Sequence, residues 1–216
     1  MIRRAVLWIS LLLIGMLGCS GGVERSQGIY LLLDTSGTYA AELKKAQAII
    51  NYLLGTLQPG DTFVVGRIDT GSFSEKDIIA KARFDQRPSM ANAQKRAFQT
   101  KIDAFVSTAT DSGYTDISGG ILQAVESLNE SNAGHKYILI FSDLQEELAK
   151  GYVRDVPFPL KGFQVVALNV TKLRNDNHDP KNYLNRVEEW RKKTENGGGQ
   201  WRVVNDLERL ETIFTH

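Results

Sequence analysis

The segment Asp34-Thr35-Ser36-Gly37-Thr38 sets the carboxylate of Asp34 beside the hydroxyls of Ser36 and Thr38, directly after the apolar run Ile29-Tyr30-Leu31-Leu32-Leu33. A second apolar run, Tyr137-Ile138-Leu139-Ile140-Phe141-Ser142, also ends at an acid, Asp143, and Thr115 lies in the loop before the helix that leads into it. Strands ending this way deliver side chains to the carboxyl edge of an open α/β sheet, where such folds bind ligands. Asp34, Ser36, Thr38, Thr115 and Asp143 thus form an all-oxygen set. Such donors suit a hard cation such as Mg²⁺, with Mn²⁺ a related choice, better than zinc or copper, and they need neither His nor thiolate. Because Mg²⁺ sheds water reluctantly, some of these groups would act through water.

The elements that must position these residues follow from periodicity. The run Ile29 to Leu33 reads as a strand buried on both faces of a parallel sheet. Leu43, Ala46, Ile50, Leu53 and Leu57 recur at helical spacing, and Gln58-Pro59-Gly60-Asp61 closes that helix with turn chemistry. A strand from Thr62 to Asp69 follows. Alternation from Asp77 to Phe84 predicts a half-exposed edge strand, antiparallel to it. Helices are expected from about Ala91 to Val106 and from about Asp116 to Leu128, then strands at Tyr137 to Ser142 and Phe163 to Leu168. Pro180 suits the first turn of a helix with Asp179 as N-cap, and Gly197-Gly198-Gly199 ends it. A short strand from Trp201 to Val204 and a helix near Leu207 to Phe214 complete the chain. Strands alternating with helices give an α/β fold, a doubly wound, mostly parallel sheet covered by helices on both faces.

Ile29 to Tyr39, Thr115 and the stretch Ile138 to Asp143 resemble the von Willebrand factor A domain and its metal-ion-dependent adhesion site. The similarity covers nearly all of residues 28 to 216. It implies a Rossmann-like sheet of about six strands in the order 3-2-1-4-5-6 with one antiparallel edge, which agrees with the edge strand read at Asp77 to Phe84. In that family a DxSxS motif, a later Thr and an Asp ending a central strand hold Mg²⁺ and leave one position for an acidic group of a partner protein. By position these are Asp34, Ser36 and Thr38, then Thr115, then Asp143. Thr38 replaces the more usual Ser and keeps the hydroxyl. Leu144 stands where the family commonly has Gly, and is expected to narrow the loop beside the metal. Where neutral hydroxyls make the direct bonds, the cation keeps enough positive charge to attract an external carboxylate. The resemblance implies a protein-binding module and not an enzyme.

Other readings compete. Asp34 and Asp143 could each cap the helix after its strand. Asp34-Thr35-Ser36-Gly37-Thr38 also resembles the phosphorylated-Asp motif of haloacid dehalogenase-like phosphatases, with Asp34 as nucleophile, but Ser36 replaces the second acid and only Asp143 stands where a later acidic pair is needed. A metal-free structural module of the same fold is the third possibility. Asp69-Thr70-Gly71-Ser72 matches the aspartic-protease signature inside a helical context that contradicts that architecture. His135, His178 and His216 are scattered with no metal spacing. Glu146 and Glu147 read as a solvated helix start, and Trp190 and Trp201 as packing residues.

Composition bounds the rest. The chain has 216 residues, 42% hydrophobic, with 26 basic and 25 acidic side chains and one Cys. This describes one globular domain, excludes nucleic-acid binding by bulk charge, and excludes an internal disulfide or a Cys-based zinc site. Arg3 and Arg4 precede an apolar run from Ala5 to Leu17, shorter than the roughly 20 residues that span a bilayer but suited to a signal peptide. Met16-Leu17-Gly18-Cys19-Ser20 resembles a bacterial lipobox, which implies cleavage after residue 18 and lipidation of Cys19. Residues 19–27 then form a flexible tether. The expected setting is the cell envelope, with the domain lipid-anchored to a bacterial membrane. The absence of Asp after Cys19 resembles the outer-membrane sorting pattern of two-membrane bacteria, which implies placement in the outer membrane, facing the periplasm.

Overall fold

The computed structural model describes residues 26–36, 42–68, 70, 74–109, 113–152, 154, 156–170 and 180–214. Its elements in chain order are β1 (Gln27–Leu33), α1 (Leu43–Thr56), β2 (Thr62–Arg67), β3 (Ile78–Arg83), α2 (Pro88–Thr108), α3 (Ile117–Glu130), β4 (His135–Phe141), β5 (Phe163–Leu168), α4 (Pro180–Asn196) and β6 (Gln200–Val204). The six strands form one sheet in the order β3-β2-β1-β4-β5-β6. β1 pairs in parallel with β2 and β4, and β3 alone runs antiparallel, against β2. The expected sheet order and edge strand are both present.

β1 lies at the centre because the side chains from Ile29 to Leu33 are aliphatic, apart from the aromatic Tyr30, and can be buried on either face; all five are fully buried. Ile29, Leu31 and Leu33 pack with Phe63 and Val65 under α1 and α2, where Phe63 stacks on Phe98 at 4.9 Å. Tyr30 and Leu32 face the other way, with Ile138 and Ile140, under α3 and Trp190 of α4. Alternate residues of one strand therefore serve two cores, and the sheet is covered on both sides.

Gly120 allows α3 to sit close on the sheet. A Cβ there would lie 2.7 Å from Ile68 Cγ2 and 2.9 Å from Leu32 Cδ2. That close approach brings the N-terminus of α3, and Thr115 before it, to the carboxyl ends of β1 and β2.

Two expectations need correction. Residues 207–214 form 3₁₀ turns broken at Arg209, not one regular helix. No helix starts at Glu146 and Glu147, because both are engaged by the α3 region: Glu146 accepts from Ser118 N and Oγ at 2.6 and 3.0 Å, and Glu147 exchanges two backbone hydrogen bonds with Thr115. Asp179, Asp69, His178, His216 and the signal, lipobox and tether up to residue 25 lie outside the described residues. No helix among the described residues is long and apolar enough to cross a membrane.

Candidate metal rim

Backbone hydrogen bonds extend the sheet into the rim. Asp34 N donates to Phe141 O at 3.0 Å, and Ile68 N donates to Leu33 O at 3.0 Å, so the ends of β1, β2 and β4 are locked together. Asp116 N donates to Ile68 O at 2.8 Å, and Thr115 is held in register with Glu147 by bonds of 2.8 and 2.9 Å. Thr115 thus bridges the end of β2 to the loop after β4.

The Asp116 side chain secures this junction. It is fully buried, caps α3 through Gly119 N at 2.7 Å, and pairs with Arg154 Nη2 at 2.9 Å. Two carboxylates, Asp116 and Glu146, therefore serve the N–H groups at the start of α3, a place where negative charge is favoured.

Three of the residues read from the sequence meet directly. Ser36 donates to Asp34 Oδ1 from both its backbone N, at 2.9 Å, and its hydroxyl, at 2.6 Å. Ser36 Oγ lies 2.7 Å from Thr115 Oγ1, a hydroxyl from a loop far along the chain. Asp143 follows β4 at the same rim, and its charge acts on Asp34. Its own Oδ1 accepts from Gln145 N at 2.8 Å. Thr38 and Cys19 lie outside the described residues.

Burial pushes the carboxyl of Asp34 up to about 6; hydrogen bonds from Ser36 and Ser142 oppose the rise and the neighbouring charge of Asp143 adds to it. Among the described residues no Lys, Arg or His bonds to this carboxylate. An acid that burial disfavours, set among hydroxyls with no cationic partner among the described residues, fits a cation that brings positive charge. Among the described residues no three His, Cys, Asp or Glu side chains cluster as a metal site. A cation here would therefore rely on Ser and Thr oxygens beside the carboxylates, the donor type that suits Mg²⁺. His135, exposed at the start of β4, sits at the opposite end of that strand from Asp143.

Ser142 is the rim residue that sequence reasoning missed. Its hydroxyl donates to Asp34 Oδ2 at 2.7 Å and accepts from Leu144 N at 3.0 Å. The signal was a lone hydroxyl closing an otherwise apolar run. Leu144 also departs from expectation. It does not narrow the rim, because its side chain is 1% exposed and packs in the core beneath α3 and α4, while its backbone takes a φ of +68°. Beside it a cleft of about 450 Å³ opens between this loop and α4, lined by Gln145, Glu146, Asn182, Asn185, Arg186 and Lys193.

No protein-family profile matches the sequence, and no curated protein matches it. Solved structures do match. A von Willebrand factor type A protein from Catenulispora acidiphila superposes with a TM-score of 0.54 at 16% identity, over 88% of this chain and 41% of that one. The chain has the von Willebrand factor A fold. BatB from Bacteroides thetaiotaomicron matches this fold with a TM-score of 0.54 at 16% identity, over 87% of this chain and 95% of BatB. The pilus adhesin SpaC from Lactobacillus rhamnosus GG, in an open conformation, gives 0.54 at 13% identity over 89% of this chain and 29% of the adhesin. The chain thus spans less than half of the first and third proteins and nearly all of BatB. At these identities the likeness is one of fold.

Proposed function

We propose that this von Willebrand factor A domain is a binding module. It holds Mg²⁺, or the related Mn²⁺, through Asp34, Ser36, Thr38, Thr115 and Asp143, and takes up an acidic side chain of a protein partner. The observation that carries this reading is the buried Asp34 carboxylate, bonded to Ser36, which in turn touches Thr115, with no cationic side chain among the described residues bonding to it. The bound cation would supply a Lewis-acidic, positively charged centre for an incoming carboxylate. Ser142 and the backbone N of Ser36 orient Asp34, and the Thr115–Glu147 bridge fixes the second hydroxyl. The fold neighbours agree in kind, since one of them is a pilus adhesin. Binding without turnover is the activity proposed. The lipobox-like sequence at Cys19 supports a lipid-anchored module in the bacterial cell envelope, with outer-membrane placement facing the periplasm following from the residue after Cys19.

Calorimetric titration of Mg²⁺ and Mn²⁺ into the purified protein, beside Asp34→Ala, Thr115→Val and Asp143→Ala, tests the reading. Saturable binding in the wild type that weakens about tenfold or more in each variant is expected. Absence of saturable heat in the wild type, or equal binding in all four proteins, would overturn it.

A further inference from the structure

The loop that carries Asp143 is anchored from outside the rim, at two consecutive carbonyls. Arg186 Nε donates to Asp143 O at 2.8 Å, and Trp190 Nε1 donates to Leu144 O at 2.9 Å. Both donors come from α4, one turn apart, so they reach the loop from a single rigid face. Trp190 is itself immobilised: it is 2% exposed, its ring stacks on Phe158 at 6.4 Å with planes 8° apart, and Lys193 Nζ lies 4.5 Å from its centroid.

The conformation held in this way needs holding. A branched side chain at a φ of +68° disfavours itself sterically, and such a residue persists only where its surroundings over-determine it. Leu144 is fixed at three points, by its buried side chain, by its N–H on Ser142 Oγ and by its carbonyl on Trp190. The same turn directs Asp143, whose carboxylate accepts from Gln145 N one residue beyond Leu144.

We propose that Arg186 and Trp190 are positioning residues for the metal rim. Through the carbonyls of Asp143 and Leu144 they hold the loop in the turn that presents the Asp143 carboxylate beside Asp34. The inference rests on the metal-binding reading above. It makes α4, which contributes no oxygen to the rim, the element that sets how firmly one of its two acids is placed. Trp190 thereby gains a role beyond packing, carried by its N–H.

The test uses the purified protein with Trp190→Phe, which keeps an aromatic ring and removes the donor, Arg186→Ala, and Arg186→Lys, which keeps a donor on a flexible stem. Hydrogen exchange followed by mass spectrometry in chelator reads the loop without metal, with residues 142–147 as the reporter and 29–33 as the core reference. Exchange over 142–147 should quicken about tenfold in Trp190→Phe and Arg186→Ala while 29–33 stays as in the wild type. Mg²⁺ affinity by calorimetry should fall about tenfold in the same two variants and recover most of that loss in Arg186→Lys. Unchanged exchange over 142–147, or acceleration there only in step with 29–33, would overturn the proposal, since a purely structural role moves both together. Unchanged Mg²⁺ affinity in both variants, against a wild type that binds, would overturn it while leaving the metal reading intact. A wild type that binds no Mg²⁺ would overturn the metal reading, and with it the role of this anchorage in metal binding.

Discussion

Replacing Asp34 with Asn tests whether the rim stores an electrostatic cost that a cation relieves. The folded carboxyl titrates near 6 against an ordinary value of 3.8, chiefly because it is buried. A raised acid pKa means that the folded state keeps a proton the unfolded chain has already lost. Stability is therefore unaffected below about pH 4, falls as pH rises from about 4 to 6, and stays reduced above that. Two pKa units correspond to about 3 kcal/mol. Asn is neutral at every pH, so the difference in stability between Asp34→Asn and wild type should shift by about 3 kcal/mol in favour of the variant between pH 4 and pH 8 in chelator. A constant offset of about 1 kcal/mol against the variant is expected, because the Asn amide would point a donor at Ser142 Oγ, whose hydroxyl now donates to Asp34. Urea titrations followed by tryptophan fluorescence at both pH values measure the difference, and the other titrating groups cancel in the subtraction. At pH 8, Mg²⁺ at a hundred times its dissociation constant should return about 2.7 kcal/mol to the wild type and little to the variant. A difference that stays flat with pH would refute the burial argument, and identical curves with chelator and with Mg²⁺ would refute the counter-charge argument.

Three further outcomes are expected. Gly120→Ala should lose about 1–3 kcal/mol in urea denaturation despite the better helix propensity of Ala, because the new methyl meets Ile68 and Leu32; a gain in stability would contradict the close seating of α3. Arg154→Met should cost about 3 kcal/mol by removing the guanidinium that pairs with the buried charge of Asp116, and adding Asp116→Asn should recover part of that loss; equal stability of Arg154→Met and wild type would show the pair to be dispensable. Intact-mass spectrometry of protein extracted from bacterial membranes should find Cys19 as the acylated N-terminus, and an unmodified Cys19 would remove the lipid anchor from the reading.

Much of the fold was legible because its signals are local. Residues 29–33 of β1, 137–141 of β4 and 165–168 of β5 are hydrophobic runs, which only a sheet covered on both faces can bury. Asp34 and Ser36 were readable from their place after β1, and Thr115 from its place before α3. What escaped the sequence lies between β4 and β5. The acids Glu146 and Glu147 look like the first turn of a helix, yet their partners, Ser118 and Thr115, come from a distant segment that competes for them. Nothing at Leu144 announces a left-handed backbone, because the contacts that hold it come from Ser142 and Trp190, the latter far along the chain. Carbonyl acceptors leave no trace in residue type, so the anchorage by Arg186 and Trp190 has no sequence signature. Arg154 likewise looks like any surface cation until Asp116 is seen beneath it.

β1 is the first of the described strands and one of the two central strands of the sheet, and this order has a consequence for how the protein comes into being. One edge of β1 can close early, against Thr62–Arg67, but the other waits for His135–Phe141. Until those residues arrive, a strand that is hydrophobic from Ile29 to Leu33 offers an open row of backbone donors and acceptors, the form most prone to pair with a neighbouring chain. Fragments that stop short of His135 should therefore aggregate, and late folding of the whole domain favours keeping the nascent chain unfolded, or escorted, until nearly all of it is available.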